Sequence, residues 1–79
     1  MKVLQGEKHT TLYPTIEKDR ERAFMHKEAT VLTPSKNRVV MLNREYKEEG
    51  WHMVQFIMKK EKFQEYINEL QKVCDSLED

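Results

Sequence analysis

The sequence predicts an α+β domain: a four-stranded antiparallel β-meander followed by one C-terminal amphipathic helix packed on one sheet face. Three observations lead there. Phe63, Tyr66, Ile67, Leu70, Val73, Cys74 and Leu77 recur at spacings of three and four, which is one apolar stripe on a helix. Before it, Trp51 to Met58 is a dense apolar run, too short for a typical helix, that reads as a buried strand. Turn-forming stretches, Pro34 to Asn37 and Lys47 to Gly50, separate this run from two earlier β-branched segments.

Taken in order, Lys8 to Tyr13 reads as a strand ended by Pro14, and Thr15 to Arg22 as a charged loop or helical turn. Thr30 to Thr33 and Arg38 to Leu42 read as strands of one hairpin. In their connection, proline suits the second position of a tight turn, and Asn37 tolerates the left-handed conformation that closes it. Gly50 can supply the positive φ of the next connection, into Trp51. The helix is placed at about 61–77, where no glycine or proline interrupts good helix formers on the wet face. A competing reading makes residues 36–49 a helix capped by Gly50, because Val39, Leu42 and Tyr46 also fit a helical face.

With 79 residues, 38% hydrophobic and 35% charged, the chain makes a single small domain (1–79) with a thin core. A chain this short buries only about 60% of its unfolded surface, so a homodimer or a complex is expected. Fourteen basic side chains balance fourteen acidic ones, which excludes a strongly polycationic nucleic-acid binder. The distribution is uneven. Residues 63–79 hold one Lys and five Asp or Glu, leaving thirteen basic and nine acidic residues in 1–62. One cysteine excludes an intrachain disulfide and a cysteine-only zinc site. Together with a charged N-terminus lacking an apolar signal region, it predicts a reducing, cytoplasmic setting. No apolar run approaches the about 18 residues of a membrane span, and no membrane role is expected.

Counting outward from four-residue turns at 34–37 and 47–50 places residues on faces. Thr33 opposite Arg38 puts Val31 with Val40, Ala29 with Leu42, Lys27 with Arg44 and Met25 with Tyr46. The second hairpin adds Trp51 opposite Tyr46, Met53 opposite Arg44, Gln55 opposite Leu42 and Ile57 opposite Val40. This is a basic-aromatic face. The other face gathers Leu32, Val39, Met41, Val54, Phe56 and Met58, a block suited to the helix stripe, with a far row of His26, Glu45 and His52.

The basic-aromatic face, with Trp51, Tyr46, Met53 and Ile57 uncovered, exposes more apolar area than a soluble monomer usually does. Aromatic rings among cations are what single-stranded nucleic acid requires, because bases stack on rings while Lys and Arg neutralise phosphates. The same rings can simply close a small core or a dimer interface. The stems of Lys27, Arg38 and Arg44 can likewise just cover neighbouring apolar atoms. The row His26, Glu45, His52, with His9 nearby, has metal-ligand chemistry but no local motif to hold it, so no metal or other cofactor is expected. Cys74 sits on the apolar stripe, and thiols there usually act as small hydrophobes. With Gly6 and Gly50 the only glycines, no phosphate-cradling loop can form. Ser35 and Ser76 lack a nucleophile context. The chain is read as a non-enzyme.

Val54-Gln55-Phe56-Ile57-Met58-Lys59-Lys60-Glu61-Lys62-Phe63-Gln64-Glu65-Tyr66-Ile67 is similar to the last strand, charged link and helix start of the purine-rich-element-binding (PUR) repeat. It resembles more distantly the Whirly group and the single-stranded-DNA-binding transcriptional coactivator. The resemblance covers the final third of the chain. It implies a ββββα domain that dimerises and binds nucleic acid on its sheets through basic and aromatic residues, here Lys27, Arg44, Tyr46 and Trp51. Neutral overall charge and the absence of those families' early-strand motif are departures.

The expectation is therefore a non-catalytic protein that binds single-stranded nucleic acid through Lys27, Arg38, Arg44, Tyr46, Trp51 and Gln55. The alternative is a protein-interaction module, a small inhibitor or adaptor of the kind phages and mobile elements encode, binding a protein partner through the same face.

Overall fold

The computed structural model describes residues 1–15 and 28–78. Its strands are β1 (Lys2–Gln5), β2 (Thr10–Tyr13), β3 (Glu28–Ser35), β4 (Arg38–Lys47) and β5 (Gly50–Lys59), followed by helix α1 (Lys60–Ser76). All neighbours pair antiparallel in chain order, so the sheet is a meander. Sheet plus C-terminal helix is the predicted α+β class, but the sheet has five strands rather than four. The extra strand holds only Lys2-Val3-Leu4-Gln5 and has little pattern of its own. Its turn to β2 is closed by the Gly6 N–H donating to the His9 carbonyl at 2.8 Å. A Cβ on Gly6 would stand 3.1 Å from that carbonyl oxygen, tighter than side chains usually tolerate. Because Gly6 to His9 form this turn, the strand expected from Lys8 begins at Thr10.

Residues 38–47 are extended, which overturns the helical alternative for 36–49. The β3–β4 loop is shorter than expected. Pro34 and Ser35 stay in β3, Ser35 faces Arg38, and Lys36-Asn37 alone turn the chain. Proline is tolerated because β2 reaches only as far as Leu32, so the ring, which cannot donate to a ladder, lies beyond its neighbour's end. The positive φ falls on Lys36 (57°) and not on Asn37 as expected. Gly50 does take a positive φ, 118°. Register in the first hairpin thus moves by two residues, with Val31 opposite Leu42 and Ala29, rather than Lys27, opposite Arg44. The second hairpin has the counted register, Tyr46 opposite Trp51.

Helix α1 starts one residue before the expected position and is anchored by the Lys60 N–H donating to the Asn37 carbonyl at 2.7 Å. Phe63, Tyr66, Ile67 and Leu70 line a cleft of about 260 Å³ together with Leu12, Leu32 and Met41, so the helix lies on the predicted face. Cover is incomplete. Val39 and Met41 are buried, whereas Val54 and Phe56 of the same block are exposed and no residue of α1 is buried. Cys74 is exposed rather than packed. The core is accordingly thin: Tyr13 and Ala29 are buried on the opposite face, and on the helix face Thr30 Oγ1 donating to Asn43 Oδ1 at 2.7 Å supplies a part-buried cross-strand polar tie. No helix among the described residues is long and apolar enough to cross a membrane.

Candidate functional site

Cross-strand partners share a face, so the register defines the surface opposite α1. Across it run Lys2 with Tyr13, Leu4 with Thr11 and Val31, Ala29 with Arg44 and Met53, Leu42 with Gln55, Val40 with Ile57, Arg38 with Lys59, and Tyr46 with Trp51. The charged residues among these are Lys2, Arg38, Arg44 and Lys59, all cations. Both strand carboxylates, Glu28 and Glu45, lie on the helix face.

At one end of this face three predicted residues meet. The Tyr46 and Trp51 rings stand edge to face, with centroids 5.3 Å apart and planes inclined by 66°. The Arg44 guanidinium lies 5.4 Å from the Trp51 ring centre, within cation–π range. Arg44 Nη2 also donates to the Tyr13 hydroxyl at 3.3 Å, and its Nε is buried with no acceptor among the described residues. Tyr13, itself buried, therefore holds the guanidinium against the sheet. Trp51 and Tyr46 remain 48% and 42% exposed, enough for a planar ligand to reach them. Rings and cation are carried by the paired strands β4 and β5.

The other predicted residues do not join this cluster. Gln55 lies midway along β5, exposed, opposite Leu42. Arg38 is exposed at the far end of β4, six residues from Arg44 and about 20 Å away at the rise of an extended strand. There it faces Lys59. Lys27 lies outside the described residues. Sequence reasoning missed Lys59, Lys2 and Tyr13. Carrying the alternation one step past Ile57 would have found Lys59, whereas Lys2 lies on a strand too short to see and Tyr13, although inside the strand expected from Lys8, required the β2–β3 register.

Of the row expected from His26, Glu45 and His52, Glu45 opposite His52 has the counted register, whereas Glu28 stands opposite Glu45 where His26 was expected. His52 Nε2 lies 3.1 Å from Glu49. His26 lies outside the described residues, and among those described no three His, Cys, Asp or Glu side chains are arranged to hold a metal. Comparison with protein families, curated proteins and solved structures finds no match.

Proposed function

We propose that this chain binds single-stranded nucleic acid, without catalysis, on the sheet face opposite α1. The observation that carries this reading is the coincidence of one-signed charge with half-exposed rings. Among the described residues, Lys2, Arg38, Arg44 and Lys59 are the charged strand residues of that face, and Trp51 and Tyr46 stand among them. Phosphates are met by cations while unpaired bases stack on Trp51; a duplex keeps its bases stacked on one another and offers the ring nothing. The likeness of β5 and the start of α1 to the PUR repeat supports the same reading.

The test is titration of labelled oligo-dT and mixed-sequence single strands at several salt concentrations. Engagement of three or four phosphates gives a log–log salt slope of about −2 to −3. Loss of a stacked base, worth about 1–3 kcal/mol, weakens binding of the Arg44→Ala, Trp51→Ala double variant at least tenfold. Equal, weak binding by wild type and variant at low salt rejects the reading. Exposed Met53 and Ile57 on the same face favour a second reading, a protein partner docked there. A stoichiometric protein captured after nuclease treatment selects it.

A further inference from the structure

We propose that two copies of this chain join through the free edge of β5, forming one continuous sheet whose nucleic-acid site is shared between them. Strand β5 is last in the sheet order, and β4 is its one neighbour among the described residues. It pairs with β4 over its whole length from Gly50 to Lys59 without a bulge. Natural sheets guard such an edge with lysines, proline or a bulge. From Trp51 to Met58 this edge has none of them, and Met53, Val54, Phe56 and Ile57 are exposed on its two faces. A groove of about 410 Å³, lined by Gln55, Phe56, Ile57, Met58 and Tyr66, runs where a further strand would lie.

The hydrogen-bonding phase fixes which atoms the edge offers. Both hairpin loops hold two residues, so Ser35–Arg38 and Lys47–Gly50 are closing, hydrogen-bonded pairs. The Lys60 to Asn37 bond continues the same phase past the end of β5. Even-numbered residues of β5 therefore bond to β4, and Trp51, Met53, Gln55, Ile57 and Lys59 direct their N–H and C=O groups outward.

The occupant is a second copy because the edge is complementary to itself. An antiparallel pairing with its two-fold axis at Gln55 sets Met53 against Ile57 of the second copy and Val54 against Phe56, apolar on apolar on both faces. The two Gln55 amides meet at the axis. Lys59, the cation of this edge, lands beside Trp51 of the second copy, and no like charges face each other. Partners share a face, so both basic faces point the same way and both helices lie behind. Arg38 and Lys59, far from the rings within one chain, then adjoin the Trp51, Tyr46 and Arg44 cluster of the other. This shared site rests on the proposed nucleic-acid reading; the pairing itself does not.

The experiment is a charge exchange at the axis, read by sedimentation equilibrium and by single-strand titration. Wild type is expected at twice the 9.6 kDa chain mass. Gln55→Lys and Gln55→Glu each place like charges directly opposite and are expected to be monomers of unchanged circular dichroism, since Gln55 is exposed. Mixed in equal amounts, they are expected to recover the dimer mass. In a Cys74→Ser background, Gln55→Cys closes a disulfide across the axis, since hydrogen-bonded partners stand about 5.5 Å apart between Cα atoms. A monomeric wild type at hundreds of micromolar, or dimers that persist in both charge variants, overturns the pairing. The monomeric Gln55→Lys variant is expected to bind single strands at least tenfold more weakly despite its added charge. Wild-type affinity in that monomer overturns the shared site alone, and a wild-type dimer with no affinity for nucleic acid overturns the functional reading while leaving the pairing intact.

Discussion

Arg44 and Trp51 stand on adjacent strands with the guanidinium 5.4 Å from the ring centre, and the same guanidinium reaches the Tyr13 hydroxyl at 3.3 Å. One cation thus joins β2, β4 and β5 across the basic face. Its removal acts on the site and on the sheet together, so the two effects have to be separated by the choice of variant.

Trp51→Phe keeps a stacking surface and is expected to lose less than fivefold in single-strand affinity, whereas Trp51→Ala loses about fivefold or more, in line with about 1–3 kcal/mol per stacked base. Because Trp51 is half exposed, both variants should melt within a few degrees of wild type. Fluorescence anisotropy with a labelled strand and thermal denaturation check this. A Trp51→Ala protein that unfolds makes the ring a core residue rather than a platform.

The β3–β4 turn carries a local cost. Lys36 sits at φ 57°, where a side chain costs about 1–2 kcal/mol that glycine avoids. Lys36→Gly is expected to raise stability by about 0.5–1 kcal/mol, allowing for the entropy glycine gains in the unfolded chain. Urea denaturation with an unchanged slope would show it.

Gly50 makes the converse case. Its φ of 118° suits glycine, yet a Cβ there meets nothing within 4 Å. Gly50→Ala is therefore expected to destabilise through backbone conformation alone, by about 1–3 kcal/mol. Denaturation measures the loss, and a neutral result would mean that the turn relaxes at no cost.

Helix α1 begins without a side-chain cap, since Lys59 has the extended backbone of an N-cap residue but makes no capping bond. Lys59→Ser is expected to stabilise by about 1 kcal/mol, because a hydroxyl can accept from the first free N–H groups. The same change removes a cation from the basic face and should shrink the salt slope by about 0.7. Stability and affinity then move in opposite directions, which a general loss of folding cannot produce.

Much of this was legible because each hairpin register has a physical origin in the residues. The face of every residue in β3 to β5 could be read even though the first turn was counted two residues too long, since a shift of two preserves side-chain alternation. Pro34 caused the miscount. Proline commonly marks a turn, but here it occupies a strand end that no further strand overlaps. The helix was legible from its stripe, but its partial cover of Val54 and Phe56 was not, because periodicity shows which face is apolar and not how far a neighbour reaches. Strand β1 was lost for a different reason. Four residues leave almost no periodic signal, and Tyr13, although inside the strand expected from Lys8, could be placed beside Arg44 only once the β2–β3 register was known.

Trp51 is the chain's single tryptophan, so its emission reports on the site without a label. Stepwise addition of oligo-dT at low salt is expected to quench that emission to saturation and to lose the effect as salt rises, while the matching duplex leaves it nearly unchanged. Emission indifferent to single strands up to hundreds of micromolar, or quenched equally by the duplex, would contradict the account.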